Sequence, residues 1–398
     1  MEQFIGILIR RERLRQNYSQ EGLCRGICAV SYLSKIEQGK VQAGTDVVLP
    51  LLRRLGVDFE TDEAFLSWAG SRVEILYREL LAGREKAEIF RRTLAELERE
   101  EERCLRSPWM LDLLLLEAGT GEAVKADLLE QAEPFSTVMD QRQYPLYLLC
   151  RLNCGWDQDA GPLLRLGAGA FYTIAVGNHT IQHGRYTEAV ALLRRGYDQA
   201  AEEGRPYLML LGSLLLGNCY SAIGHRGLMM EHYQVARRLG EELGQTELLA
   251  AIDYNIAATY LEWGMDREAL TLLEAAPRED LWYWHKLTIA LERAGRLGEA
   301  RAALAKAYGD SEEFYRSPAV EKILDLVAYR LDHPDYVRRA VYADMAREVC
   351  ALSERELGEG YARFHLPALL EALEAQRRYK EAYQLMKEFS YKERRIED

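Results

Sequence analysis

Apolar residues recur three and four positions apart along almost the whole chain, and the alternation typical of half-buried strands is hard to find. Ile5, Leu8 and Ile9 form the first such set, directly before a run of arginines. The same spacing continues from Glu63 onward, with only ten prolines in 398 residues to interrupt it. This pattern predicts an all-α chain built from many amphipathic helices.

Residues 19–39 predict two short helices joined by a tight turn. Ser19 is a good N-cap for the first helix, because its hydroxyl can accept from a free backbone N–H group. After a break at Cys28–Ala29, Leu33 and Ile36 supply the buried side of the second helix. The opposite face of that helix then presents polar groups suited to DNA, namely Ser31, Tyr32, Ser34 and Lys35.

The run SYLSKIEQG, residues 31–39, resembles the helix-turn-helix regulators of the Xre type. Its spacing from Ser19 and the turn variant Ile27-Cys28-x-x-Ser31 are similar in particular to the peptide-responsive quorum-sensing regulators of the Rgg/PlcR/NprR (RRNPP) family. The resemblance implies that phosphates are held by basic groups and that base edges are read at the start of the second helix. The residues expected to meet DNA are Arg13, Gln20, Ser31, Tyr32, Ser34, Lys35 and Lys40. Two departures from the family pattern are Gly22 and Pro50.

A repeat organises the rest of the chain. A turn glycine is followed five positions later by a small residue in Gly184 to Ala189, Gly264 to Ala269 and Gly295 to Ala300, with a looser copy at Gly224 to Met229 and a last one at Arg377 to Ala382 that lacks the glycine. Glycine permits a sharp turn between helices, and alanine lets the second helix pack closely on the first. These units, clear over residues 165–308 and 365–390, resemble tetratricopeptide repeats. Only degenerate helical pairs are predicted between 60 and 160.

The predicted architecture is a helix-turn-helix bundle over residues 1–60, followed by a right-handed superhelix of tetratricopeptide-like hairpins over residues 61–398 that serves for sensing and dimerisation. The concave wall of such an array commonly binds extended peptides. An asparagine side chain suits a peptide backbone because it offers both a donor and an acceptor. In the family that the chain resembles, repeat asparagines hold a short signalling peptide.

That resemblance carries over to Asn178 and Asn218 by motif, and to Asn255 one turn from the aligned position. The residues expected to bind the peptide are Asn178, Gln182, Asn218, Tyr254, Asn255, Glu262, Trp282 and His285. Two alternatives stay open. The asparagines can instead bond within their own repeats, and Trp282 and His285 can belong to the core.

The charge distribution supports a division of labour. The net charge of −12 disfavours nucleic-acid binding by the chain taken as one body. Residues 1–58, however, hold nine Lys/Arg against six Asp/Glu, which leaves 42 against 57 for the remainder. A mildly basic N-terminal segment followed by an acidic remainder is consistent with a DNA-binding module joined to a module that does not contact phosphate.

Several other functions are disfavoured. No run of about eighteen apolar residues and no signal-peptide pattern occurs, so we expect a cytoplasmic protein that does not contact membranes. The seven cysteines are scattered and lack the second pair of a zinc site, and His179 with His183 lacks a third ligand, so no metal is expected. Common enzyme motifs are absent, and we predict neither catalysis nor a cofactor.

The sequence therefore predicts a bacterial, sequence-specific transcription regulator that is controlled by a short signalling peptide. A single head buries little DNA surface, so a homodimer that reads two half-sites is expected. One alternative is an interaction protein whose repeats bind a partner protein, with the head used for targeting or autoregulation. Another is an antitoxin-like repressor that senses nothing.

Overall fold

A computed structural model of the chain describes residues 2–41, 43–120, 125–275, 278, 280–314, 317–357 and 359–394. All regular structure in these residues is helical, which confirms the predicted all-α class. By their internal contacts the residues divide into two compact units, Met1–Val176 and Gly177–Asp398. The predicted boundary between residues 60 and 61 lies inside the first unit and stays a prediction about domain organisation.

The first unit begins with four helices that we call the head. They are α1 Glu2–Arg15, α2 Gln20–Cys24, α3 Val30–Glu37 and α4 Thr45–Arg54. Leu8, Leu23, Leu33 and Leu52 are buried where these helices meet. Pro50 lies inside α4, where the proline ring removes one intrahelical hydrogen bond but does not end the helix.

The remainder of the first unit is a run of helices without the repeat. They are α5 Glu63–Leu81, α6 Glu88–Glu98, α7 Glu101–Leu105, α8 Met110–Thr120, α9 Ala126–Ala132, the 3₁₀ helix η1 Glu133–Val138, α10 Gln143–Asn153 and α11 Gly161–Arg165. The charged helices α6 and α7 are separated by a break after Glu98. The helix α12, Ala170–Gln182, crosses from the first unit into the second.

The second unit continues as helices that pack in sequence on one another. They are α13 Tyr186–Glu202, α14 Pro206–Ala222, α15 Arg226–Glu242, α16 Thr246–Glu262, α17 Asp266–Ala275, α18 Leu281–Arg293, α19 Leu297–Phe314, α20 Pro318–Asp332, α21 Ala340–Glu356, α22 Glu359–Ala375 and α23 Tyr379–Arg394; a short 3₁₀ turn, Tyr336–Arg338, precedes α21. The predicted right-handed superhelix stays a prediction.

The predicted turns fall where helices of a pair meet. Gly184, Gly224, Gly264 and Gly295 have φ between 72° and 80°, a backbone conformation that glycine adopts without steric cost. Arg377 takes the same role at φ 62°. The repeat motif therefore identified these turns correctly, including the one that lacks glycine.

Close helix packing also depends on glycines inside the helices. A Cβ atom added to Gly217 in α14 would lie 2.4 Å from the ring of Tyr233 in α15. An equivalent atom on Gly177 would lie 2.7 Å from the Leu193 side chain. Both distances are too short for carbon contacts, so these glycines let neighbouring helices approach each other more closely than alanine would.

Candidate functional site

The head presents one polar face on α3 and the loop after it. Ser31 and Lys35 are exposed on α3, Lys40 is exposed just beyond it, and Tyr32 and Ser34 are half-buried. Opposite them, Leu33 and Ile36 are buried against the rest of the head. The helix thus separates an apolar side from a side of hydroxyl and ammonium groups, which is the arrangement that DNA recognition requires.

The connection before α3 is held at both ends. The hydroxyl of Ser19 accepts from the Gly22 backbone N–H at 2.9 Å, as predicted for an N-cap. At the end of α2, the Arg54 Nη1 donates to the backbone oxygens of Leu23 at 2.7 Å and Arg25 at 2.6 Å. These bonds fix where α2 ends, and so fix the turn from which α3 starts.

The prediction that Arg13 contacts phosphate is wrong in this structure. Its guanidinium donates to both carboxylate oxygens of Glu37, with Nε at 2.6 Å and Nη2 at 3.0 Å. Its Nη1 donates to the backbone oxygen of Tyr18 at 2.8 Å. The residue is 8% exposed. Gln20, also expected at DNA, donates to the same Glu37 carboxylate at 2.8 Å, so the sequence pattern had selected two residues that fasten α1, α2 and α3 together.

The second unit contains a cavity of about 300 Å³, which we call the cleft. Its walls come from α14, α16 and α22, with single residues from α12, α13 and α15. The lining residues that matter below are Asn218, Ser221, Asn255, Glu262, Tyr361 and Arg363. A neighbouring cavity of about 160 Å³ shares Ser221, Glu262 and Arg363 with it.

Two asparagines meet at the cleft wall. The Asn218 Oδ1 accepts from the Asn255 Nδ2 at 3.0 Å and from the Tyr233 hydroxyl at 2.9 Å. Within the described residues, the Asn218 Nδ2 and the Asn255 Oδ1 have no hydrogen-bond partner. The pair therefore bonds partly within the array and still offers free N–H donors and one free amide oxygen.

Other residues expected at the peptide lie elsewhere. Asn178 and Gln182 are exposed on α12, which contributes Ile181 to the cleft instead. Tyr254 is half-buried under the Arg278 guanidinium, 5.3 Å from its ring centre, and burial raises the pKa of the Tyr254 phenol. Trp282 is half-buried, with its ring centre 4.6 Å from that of Tyr361. Their roles stay predictions.

The expectation that His285 faces a groove is wrong. It is 1% exposed, and its ring centre lies 5.4 Å from that of His365 in α22. Beside it, the Lys286 Nζ lies 2.9 Å from the centre of the Phe364 ring. Burial holds the pKa values of both histidines well below their usual range and lowers the pKa of Lys286 to about 7. Burial therefore favours the uncharged forms of these three bases where α18 contacts α22.

Comparison with known proteins identifies the head. Residues 9–61 match the helix-turn-helix family HTH_3. The chain carries a helix-turn-helix DNA-binding domain. No curated protein matches the chain. Among solved structures, Bacillus thuringiensis PlcR, crystallised with the peptide PapR7 and DNA, is similar at 14% sequence identity, covering 83% of this chain and 98% of that one, with a TM-score of 0.22.

PlcR belongs to the group of regulators that the helix-turn-helix motif resembles, but a TM-score of 0.22 does not establish a shared arrangement of helices. The identification of the helix-turn-helix domain rests on the match over residues 9–61 and on the geometry of α2 and α3. In the part of the chain that the structure describes, no helix has both the length and the apolar character needed to cross a bilayer.

Sequence reasoning missed Tyr361 and Arg363. Both lie on α22 and line the cleft. There the Arg363 Nη1 donates to the backbone oxygen of Ser221 at 3.4 Å, although the two residues are 142 positions apart in the sequence. The last repeat was recognised from residues 377–382, but its motif gives no sign of which earlier repeat its first helix would contact. The contact joins residues far apart in the sequence, so no local pattern reveals it.

Proposed function

We propose that the protein is a transcription regulator whose helix-turn-helix domain binds duplex DNA and whose second unit binds a short peptide in the cleft. The observation that supports peptide binding is the asparagine pair, Asn218 and Asn255, whose second amide groups have no hydrogen-bond partner among the described residues and so offer donors and an acceptor at one wall. A peptide bond presents the complementary pair of groups.

The size and lining of the cleft favour a small ligand. A volume of about 300 Å³ is at the lower end of ordinary ligand pockets, and so fits a few residues of a peptide. Glu262 is exposed in the lining, and Arg363 brings a positive charge from α22. A peptide with at least one charged group is therefore favoured over a wholly apolar one.

For the DNA contacts we propose Ser31 and Tyr32 at base edges and Lys35 and Lys40 at phosphates, with Ser34 beside them. All lie on the exposed or half-exposed side of α3 or in the loop that follows. Because one such domain buries little surface, we propose a homodimer that reads two half-sites. A peptide that favours one arrangement of the helix pairs would change the spacing of the two domains.

The experiment is a footprint on the DNA upstream of the protein's own coding sequence, with and without the small-peptide fraction of spent culture medium. We expect two protected half-sites whose protection changes with that fraction. Protection that ignores the peptide fraction would contradict the sensing role, and the absence of any protection would contradict the regulator.

The cleft is tested by substitution. Asn255→Ala and Glu262→Gln should each weaken binding of the active peptide, by about five- to tenfold for the lost hydrogen bonds, and leave DNA affinity without peptide unchanged. Asn178→Ala is the control, because Asn178 occupies in its own repeat the motif position of Asn218 but does not line the cleft. Equal losses in the control and in Asn255→Ala would place the peptide elsewhere.

One observation favours a protein partner as well. Tyr379, Tyr383 and Met386 on α23 are 62%, 67% and 53% exposed and share one face at helical spacing. Exposed apolar side chains that share one face mark an interaction site more often than a solvated surface does. A pull-down with wild type and with the triple serine variant would show whether this face recruits a protein.

A further inference from the structure

A second cavity lies within the first unit, beside the helix-turn-helix domain. Its volume is about 570 Å³, larger than the cleft. Ile7, Leu14 and Val138 give it apolar walls from α1 and η1, and Gln38 and Gly39 at the end of α3 close one side. We call this space the seam cavity, because it separates α1 and the end of α3 from η1.

Positive charge exceeds negative charge among the described residues that line the seam cavity. Arg10 lines it, is exposed, and makes no ion pair or hydrogen bond to any described residue. Arg11 also lines it; its guanidinium pairs with Glu12 at 3.1 Å. Among the described residues that line it, Glu37 alone is acidic, and its carboxylate is already engaged by Arg13 and Gln20. An entering molecule therefore meets a positive rim on apolar walls.

We propose that the seam cavity is a binding site for a small organic anion with an apolar body, such as an aromatic or acyl carboxylate or sulfonate. The anionic group would lie at Arg10 and Arg11, and the apolar body between Leu14 and Val138. The volume is within the range of ligand pockets, which are mostly apolar with a few charged groups that fix orientation.

An occupant would act on the contact that joins η1 to the DNA-binding domain. Phe135 of η1 is fully buried, its ring centre is 5.1 Å from that of Phe4 in α1, and the Arg11 guanidinium lies 5.3 Å above it. Thr137 and Val138, two and three positions after Phe135 in η1, line the seam cavity. A molecule bound there would therefore press against the same turn that holds α1.

The other end of η1 is fastened to α10. Glu133 accepts from the Tyr147 hydroxyl and from the Arg151 Nη1, the latter at 2.9 Å. Arg151 is itself held by Asp157 through two bonds of 2.7 and 3.0 Å. A displacement of η1 would thus be shared between α1 and α10, which gives an anion at the seam cavity a route to the orientation of the DNA-binding domain.

The test is a fluorescence titration of the full chain with 8-anilinonaphthalene-1-sulfonate, an aromatic sulfonate that brightens in apolar sites. We expect a saturable component near one site per chain. Arg10→Ala should weaken it by about two- to fivefold, the value of one exposed charge pair. Leu14→Glu should weaken it at least as much, because it places a like charge at the rim. Both side chains are exposed, so both variants should fold.

The matched control is Leu297→Glu, which changes a leucine of similar exposure, 49% against 55% for Leu14, in the second unit. It should leave the saturable component unchanged. The neutral analogue N-phenyl-1-naphthylamine should show no response to Arg10→Ala. The proposal is overturned if Arg10→Ala and Leu14→Glu bind the sulfonate like wild type, or if the neutral analogue is weakened equally by Arg10→Ala.

Discussion

Replacing the buried ion pair of the head distinguishes a structural arginine from a DNA-contacting one. Glu37 receives two bonds from Arg13 and one from Gln20, and the paired side chains are 3% and 10% exposed. We consider two variants. Glu37→Ala leaves the Arg13 charge in place without its carboxylate, whereas Arg13→Met with Glu37→Met removes both charges and keeps apolar volume.

The expected magnitudes differ because the cost lies in an uncompensated buried charge. Removing one partner of a buried pair costs about 3–5 kcal/mol, so Glu37→Ala should destabilise the head by that amount. Replacing both partners with apolar side chains is often near neutral, so the double methionine variant should lose less than about 1 kcal/mol. Gln20 also loses an acceptor in both variants, but it is half-buried and can bond to water.

Hydrogen exchange measured on the full chain can locate these losses, since whole-chain unfolding of two compact units is not a single transition. Amides of α1 and α3 should lose protection in Glu37→Ala and keep most of it in the double variant. Amides of α14, in the second unit, serve as the internal reference and should not change.

DNA binding gives the second measurement. The logarithm of DNA affinity falls with the logarithm of salt concentration by about 0.9 for each phosphate contact. Lys35→Ala should reduce that slope by about one contact, and the double methionine variant should leave it unchanged. If the double variant reduces the slope as Lys35→Ala does while the head stays folded, Arg13 contacts phosphate and the reasoning fails.

Two further predictions concern the second unit, and both are measured in the full chain by hydrogen exchange of the amides of α14 and α18, which report on that unit. Gly217→Ala should lower the stability of the second unit by about 1–3 kcal/mol, because its Cβ would overlap the Tyr233 ring. The control is Gly309→Ala, at an exposed helical position with no atom within 4 Å, which should raise the stability by up to about 1 kcal/mol. Equal effects of the two substitutions would refute the packing argument. Lys286→Met should remove a pH dependence of stability. Burial lowers the pKa of Lys286 in the folded state to about 7, so above that pH the unfolded state binds one proton more than the folded state. Between pH 7.5 and 8.5 the free energy of unfolding of wild type should therefore rise by about 1.4 kcal/mol per pH unit relative to the variant. A constant difference across that range would show that the amine stays charged.

Features set by neighbouring residues were predictable from the sequence. Ser19 caps α2 because the hydroxyl reaches an N–H only three residues away, and the turn glycines are needed wherever the backbone must take a positive φ. Even Arg377, which no glycine marks, was recognised because residues around it kept the spacing of the motif.

Pairings between distant residues were not predictable. Arg13 looked like one of several surface arginines, because nothing local reveals that Glu37, 24 positions away, is placed to accept from it. The seam cavity depends in the same way on Phe135 reaching α1. The cleft was half predicted: Asn218 and Asn255 followed from the repeat, but Tyr361 and Arg363 depend on where a later helix arrives.

That arrival has an evolutionary consequence. Repeat arrays whose members touch only their neighbours can gain or lose a repeat and keep each remaining interface. Here α22 contacts both α14, through Arg363, and α18, through Tyr361 and Trp282. Deleting or duplicating any hairpin between α14 and α22 would carry Arg363 away from Ser221 and take a wall from the cleft. If the cleft binds a peptide as proposed, the site constrains the number of hairpins in this stretch, and we expect new specificities to arise by point substitution.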